Sequence, residues 1–420
     1  MSHAEIFTKV FLVLLVSKGL IEAWLDSRQK NNIRKNQDKV PEKFSHTITL
    51  GDHQKAADYT IAKLNTSQFF SLIEVFILLV WTLGGGLKSL DTLVAQTGVE
   101  STLWQGVLFI VFFSVINGVL SLPQSIYSTF VLEERFGFNK TTPKTFIIDM
   151  LKGTVLGILI GVPLILGILW IMNALGDSWW AYAWAFMTAV QLTIVWAYPT
   201  FIAPLFNKFY PMEDGETKDR VEKLLTRTEF QSNGLFVMDA SMRSSHGNAY
   251  FTGFGKSKRI VFFDTLLKSL EPGEVEAVLA HELGHFKKKH IIKGMAKALI
   301  MSLIGFWVLG QLANWQPFFD GMNAGDITHA KALILFSLVA GVFTFPMTPL
   351  SAWMSRKNEF EADEFAATYS QANDLITALV KLYKENANTL TPDSIYSSWY
   401  HSHPPALIRV QHLESLGSRS

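Results

Sequence analysis

The chain has 420 residues, of which 49% are hydrophobic and only 17% charged, with 12 Trp and 32 Phe, a balance too apolar for an ordinary soluble enzyme of that length. Its formal net charge is +1 and no block of Lys and Arg is interleaved with aromatics, which argues against nucleic acid as a partner. There is no cysteine, so disulfides and thiol chemistry are excluded, and a tightly held metal must use His, Asp or Glu.

In chain order, apolar runs long enough to cross a bilayer lie near 6–25, 69–87, 103–122, 154–174, 179–201, 291–313 and 330–350. That count predicts a polytopic α-helical membrane protein with about seven transmembrane helices. The first and sixth runs are the least clean, being interrupted by Lys18, Glu22, Lys293 and Lys297. The first run has no basic segment before it and no small-residue cleavage site, so it reads as a span rather than a signal peptide. Between spans one and two lie Arg28, Lys30, Arg34, Lys35, Lys39, Lys43, Lys55 and Lys63, and between spans three and four Arg135, Lys140, Lys144 and Lys152. Those loops are expected in the cytoplasm, whereas Gly176–Ser178 and Asn314–Thr328, with neither Lys nor Arg, face the other side. The division that follows is a membrane region of five helices over 1–206, a soluble α+β part over 207–290, two further membrane helices over 291–350, and a C-terminal helical part over 351–420.

Within the soluble part, Gly234–Met238, Asn248–Phe254 and Arg259–Phe263 read as a small sheet. The segment from Asn248 is either a docking edge for an extended peptide or an ordinary sheet edge. A helix then starts at Glu271-Pro272-Gly273-Glu274, with Pro in the first turn and acidic residues at the positive end of the dipole. Val275, Val278, Leu279 and Leu283 give it an apolar face, and it carries His281-Glu282-Leu283-Gly284-His285. At four residues' separation the two imidazoles share a face and suit one metal, with Glu282 beside them to act on water. The bland alternative is two solvated or core histidines on an ordinary helix.

Two histidines leave a catalytic metal short of a protein ligand, and the missing one must lie on the same side of the membrane. Two crossings separate His285 from Glu359-Phe360-Glu361-Ala362-Asp363, so both segments face the cytoplasm. Glu359 and Asp363 are one turn apart, which suits one carboxylate on the metal and another holding a ligand histidine. A solvated acidic helix is the competing reading.

The chain resembles the type I CAAX prenyl endopeptidases, integral-membrane zinc metallopeptidases of the gluzincin kind. The resemblance rests on the HExxH together with Glu133-Glu134-Arg135-Phe136-Gly137-Phe138-Asn139-Lys140, Pro204-Leu205-Phe206-Asn207-Lys208-Phe209, Ser244 to Phe251, Lys258 to Val261, Ser355 to Asp363 and His401-Ser402-His403-Pro404-Pro405, in the family's order and over nearly the whole chain. It implies one zinc ion held by His281, His285 and Glu359, with Glu282 as general base. It further implies roles for Asp363 beside a ligand or as proton carrier, for Asn248 on the substrate main chain, and for His403 and Arg409 near the developing oxyanion. The implied fold is a ring of seven helices around a large water-filled chamber with the site at the cytosolic end. Lys18, Glu22, Glu74 and Asn117 would then face water, although Lys18 and Glu22 equally suit a local salt bridge.

The implied activity is removal of the C-terminal tripeptide from prenylated CAAX proteins, with a peptide or protein substrate reached at the lipid bilayer. Broad membrane-protein quality control is the alternative within the enzyme class. A transporter or scaffold with a non-catalytic zinc site is the alternative outside it. A short chain without cysteine and without a retrieval signal at Leu413–Ser420 favours a bacterial inner membrane over the endoplasmic reticulum.

Overall fold

The computed structural model describes residues 1–252 and 258–417. Ser2 starts the first helix with a capping box, its hydroxyl accepting from Glu5 N–H while the Glu5 carboxylate accepts from Ser2 N–H, and α1 runs His3–Asn36. Thr49 and Asp52 repeat the device for α2, Leu50–Trp81. A short α3 (Gly86–Ala95) follows, then α4 (Thr102–Tyr127), α5 (Pro143–Ala174), α6 (Trp179–Ala197) and α7 (Ala203–Phe206).

Among the described residues, six helical segments are long and apolar enough to cross a membrane: Leu50–Trp81, Thr102–Glu133, Pro143–Ala174, Gly176–Phe206, His290–Leu312 and His329–Tyr369. The expected first span is different. Its 34 residues reach roughly 50 Å at 1.5 Å each, ample for a bilayer, but Lys9, Lys18, Glu22 and Asp26 break its apolar stretch. Lys18 and Glu22 meet in a half-buried salt bridge of 2.8 Å, the local pairing open to residues one turn apart.

The membrane helices pack tightly at one end only. Phe11, Leu15, Leu87, Phe109, Ile168, Leu169, Ile171, Met172, Ala183, Leu309, Phe318 and Phe319 form one apolar core there, and Lys331, buried beside it, is paired with Asp91 at 2.8 Å. Toward the other end the helices separate. Residues 151–155 of α5 and 291–294 of the His290–Leu312 segment are exposed in succession, and four consecutive positions cover every face of a helix. In α2 the exposed Phe69, Leu72 and Phe76 share one face while exposed Glu74 lies on the opposite one, so the helix meets two different surroundings.

The sheet sits below this open end. Strands β1 (Phe209–Pro211), β2 (Leu235–Met238), β3 (Ala249–Thr252) and β4 (Arg259–Phe263) lie in the order β1-β2-β4-β3, with β2 and β4 parallel and the other pairs antiparallel. Ile260, Val261 and Phe262 are buried in succession, as befits an interior strand covered on both faces. Of the strand expected from Asn248, residues Gly253 and Phe254 lie outside the described residues. Strands β1 and β3 are the edges, and helices α8 (Glu216–Arg227) and α9 (Asp264–Ser269) complete this layer.

Next comes α10, Pro272–Lys287, begun as the sequence predicts: Glu271 N–H donates to Glu274 Oε2 at 2.8 Å and Pro272 fills the first position. Lys289, at φ 60°, turns the chain sharply into α11, His290–Leu312. After α12 (Gln316–Gly321), α13 (His329–Thr344) continues through a 3-10 turn into α14 (Thr348–Tyr369), so the last crossing runs straight into the helix that packs along α10. Helices α15 (Ala372–Glu385), α16 (Ser394–Tyr400) and α17 (Ala406–Gly417) close the fold.

Gly284 sets the distance between α10 and α14. A Cβ there would stand 2.9 Å from Ala362 Cα and 3.1 Å from its carbonyl oxygen, contacts that backbone cannot yield. Gly284→Ala should therefore separate the helices and cost about 1–3 kcal/mol, the usual penalty of overpacking. The check is the thermal unfolding midpoint of the purified protein, which should fall together with its metal content; an unchanged midpoint would show that α14 moves freely.

Candidate active site

His281 and His285 project from α10 toward α14, and Glu359 of α14 faces them. His281 Nε2 lies 3.2 Å from His285 Nε2, Glu359 Oε1 lies 3.2 Å from His285 Nε2, and Glu359 Oε2 lies 3.4 Å from His281 Nε2. Among the described residues these three form a group whose ligand atoms all fall within 4.8 Å of one another. Glu359 is 4% exposed, and its Oε2 has no hydrogen-bond partner in the protein. A buried carboxylate oxygen left bare beside two ring nitrogens is an incomplete arrangement, and a divalent cation completes it. The residues present therefore fit a metal.

Each imidazole is fixed from behind. His281 Nδ1–H donates to Asp363 at 2.8 Å, since a carboxylate can only accept, and this leaves Nε2 for the metal. Asp363, fully buried, also binds Arg409 through a fork: Nε donates to Oδ2 at 2.9 Å and Nη2 to Oδ1. Arg409 Nη1 stands 3.6 Å from Glu359 Oε2, so one buried guanidinium balances both carboxylates. Burial opposes protonation of His281, but the Asp363 and Glu359 carboxylates beside it prevail and hold its pKa up to about 9.

His285 is held by a pair the sequence reading did not single out. Its Nδ1 lies 3.1 Å from Nδ1 of His290, whose Nε2 lies 3.1 Å from Glu361 Oε2. With Glu361 accepting from His290 Nε2–H, His290 Nδ1 accepts in turn from His285. His290 escapes a helical-spacing rule because Lys289 breaks the helix between it and His285. The only signal available was a third histidine five residues after the motif.

The remaining expected residues surround this centre. Glu282 is half-buried on α10, and burial pushes its carboxyl up despite the opposing pull of His281 and His285. His403, with a 61% exposed side chain, brings Nε2 to 3.4 Å from Glu359 Oε1 and has Ser402 Oγ 3.0 Å from its Nδ1. Arg409 is buried and engaged by Asp363, which ties it to the metal-facing groups from behind, whereas His403 stands at the mouth. Asn248 lies exposed just before edge strand β3; its Oδ1 accepts from Ala249 N–H at 2.8 Å and its carbonyl from Phe263 N–H at 2.9 Å.

Several crossing helices with a buried His-His-Glu group at one end define an integral-membrane metalloendopeptidase. Residues 29–208 match the model of the CAAX prenyl protease N-terminal region, five membrane helices, and residues 211–416 match that of peptidase family M48. The chain is 32% identical to the CAAX prenyl protease 1 homolog of Arabidopsis thaliana over 97% of each chain. To CAAX prenyl protease 1 of Saccharomyces cerevisiae it is 33% identical over 96% of this chain and 94% of that one. Its fold superposes on the crystal structure of S. mikatae Ste24p with a TM-score of 0.88 at 32% identity, covering 97% of this chain and 98% of that. The chain belongs to peptidase family M48, among the CAAX prenyl proteases, and is a multi-pass membrane metallopeptidase with a protein or peptide substrate.

Removing His290 should loosen His285 and lower metal affinity about 10–100-fold, measured with His290→Ala by chelator competition; wild-type affinity would leave the His290–Glu361 pair without a role. Arg409→Met leaves buried Asp363 without its guanidinium partner and with only His281 to hold it, and should cost about 3 kcal/mol, read from thermal unfolding of the metal-free protein. Because a proton on His281 Nε2 competes with the metal, affinity should weaken as pH falls below about 9. Isothermal titration across that range, with proton release recorded, checks the sign.

Proposed function

We propose that this chain is a zinc endopeptidase that removes the C-terminal tripeptide of prenylated CAAX proteins, as the names of its relatives suggest, with His281, His285 and Glu359 as ligands and Glu282 as general base. The observation that carries the reading is the convergence of both imidazole Nε2 atoms on the buried Glu359 carboxylate, whose Oε2 is bare, with Glu282 on the same helix as the histidines. Bound zinc would supply Lewis acidity toward the scissile carbonyl and toward water.

The protein's own groups do the rest. Glu282, its carboxyl raised by burial, takes a proton from water and returns it to the leaving amine, roles that need a pKa drawn toward neutrality. His403, exposed at the mouth with Ser402 at its Nδ1, is placed to donate from Nε2 to the carbonyl oxygen as charge develops there. Arg409 and Asp363 keep His281 in the productive tautomer. Edge strand β3 and the Asn248 carboxamide hold an extended peptide by main-chain hydrogen bonds.

A water-filled chamber among the membrane helices gives the substrate its route. Support comes from α2, whose Glu74 cannot face lipid cheaply and lies opposite Phe69, Leu72 and Phe76. The basic loops support a site on the cytosolic side, in a bacterial inner membrane or the endoplasmic reticulum. The chain divides functionally into a membrane region to 206, the α+β part carrying the HExxH to 290, two crossings to 350, and the C-terminal part supplying Glu359.

Glu282→Gln should retain zinc, measured by elemental analysis, while cleavage of a prenylated CAAX peptide falls about 10²–10⁴-fold. Undiminished turnover would remove Glu282 from the mechanism, and wild-type cleavage surviving complete zinc removal would overturn the zinc reading.

A further inference from the structure

A cavity of about 640 Å³ opens beside the metal-binding residues, within the size range of ligand pockets. His403, Arg409 and Tyr383 line it together with Thr60 and Lys63 of α2. Among the described residues that line it there is no Asp or Glu, and its lining carries the cations Lys63 and Arg409. Arg409 is already satisfied by Asp363, and His403 faces Glu359. Lys63 is different. Its Nζ lies 4.1 Å from the Tyr59 ring centroid, a cation–π contact, and it forms no ion pair with a described residue. The carboxylate whose field it feels, Glu133, is taken by the Tyr59 hydroxyl and lies 3.5 Å from His246.

A half-buried ammonium without a carboxylate, facing a cavity without carboxylates, is a seat for an anion. Extended tripeptides span about 10 Å, and the end of such a leaving fragment is a free α-carboxylate. Resting on the proposed peptidase function, we propose that Lys63 binds the terminal α-carboxylate of the substrate. It thereby fixes which peptide bond reaches the metal by measuring distance from the chain end. The tripeptide lies in this cavity between Lys63 and His403, on the side of the scissile bond opposite the prenylated residue.

The test uses the full-length, zinc-loaded protein and two prenylated peptides of one sequence, one ending in a free acid three residues past the scissile bond and one in an amide. Wild type should favour the acid in kcat/KM by about tenfold or more, the usual worth of a bond to a charged group, mainly through KM. Lys63→Met should bring the acid-to-amide ratio close to one, and Lys63→Arg should keep most of it. A merely structural lysine would lower both peptides alike and leave the ratio where it was, and that result overturns the proposal, as does a wild type that ignores the difference. Failure of wild type to cleave either peptide would instead overturn the peptidase reading on which this one rests.

Discussion

The approach of α10 to α14 at Gly284 is the constraint on which the site depends. Neither helix holds a metal alone. His281 and His285 occupy one face of α10, Glu359 and Asp363 one face of α14, and the four become a site only where the two backbones nearly touch. A bare Cα lets that happen in the middle of the motif, between the two histidines. The same requirement explains the continuity of α13 into α14, since a ligand brought from the bilayer on a single helix is positioned by the packing of the whole crossing rather than by a loop.

Burying so much charge at this junction has a cost, and the arrangement limits it by sharing. Arg409 sits where it compensates Asp363 through a fork and Glu359 by proximity, while Asp363 holds His281. What the sharing leaves over is a hydrogen-bond partner for Glu359 Oε2, the bare oxygen beside the two ring nitrogens where a metal would bind. Buried ion pairs of this kind contribute little net stability; they fix a single arrangement of atoms. Rigidity at the site contrasts with the membrane helices, which are packed at the opposite end and separate toward the metal.

Sequence legibility follows the range of the interaction. HExxH on a helix is a four-residue relation and was readable directly, as was the start of that helix at Glu271-Pro272. Glu359 lies two crossings later, and only counting membrane passages put it on the same side; Asp363 then followed from helical spacing. His290 and Lys63 were not legible as functional residues. The first reaches His285 through the left-handed turn at Lys289, and the second faces the site from α2, far away in the chain. Helix ends were underestimated because capping boxes at Ser2 and Thr49 extend α1 and α2 beyond their apolar runs. The three-residue β1 is too short to show a pattern, and α1 carries too much charge to read as cleanly as the other spans.

The electrostatic layout gives the substrate a direction. Around the metal-binding residues the carboxylates are enclosed within the protein, whereas exposed His403 and the half-buried ammonium of Lys63 line the open cavity. An anionic chain end is therefore attracted to the α2 side, and edge strand β3 offers main-chain hydrogen bonds to an extended peptide. A peptide held at both places can present its bonds to the metal in only one register. Distance from the carboxyl terminus then selects the bond that is cut, which frees the site from having to recognise particular side chains in the fragment it removes.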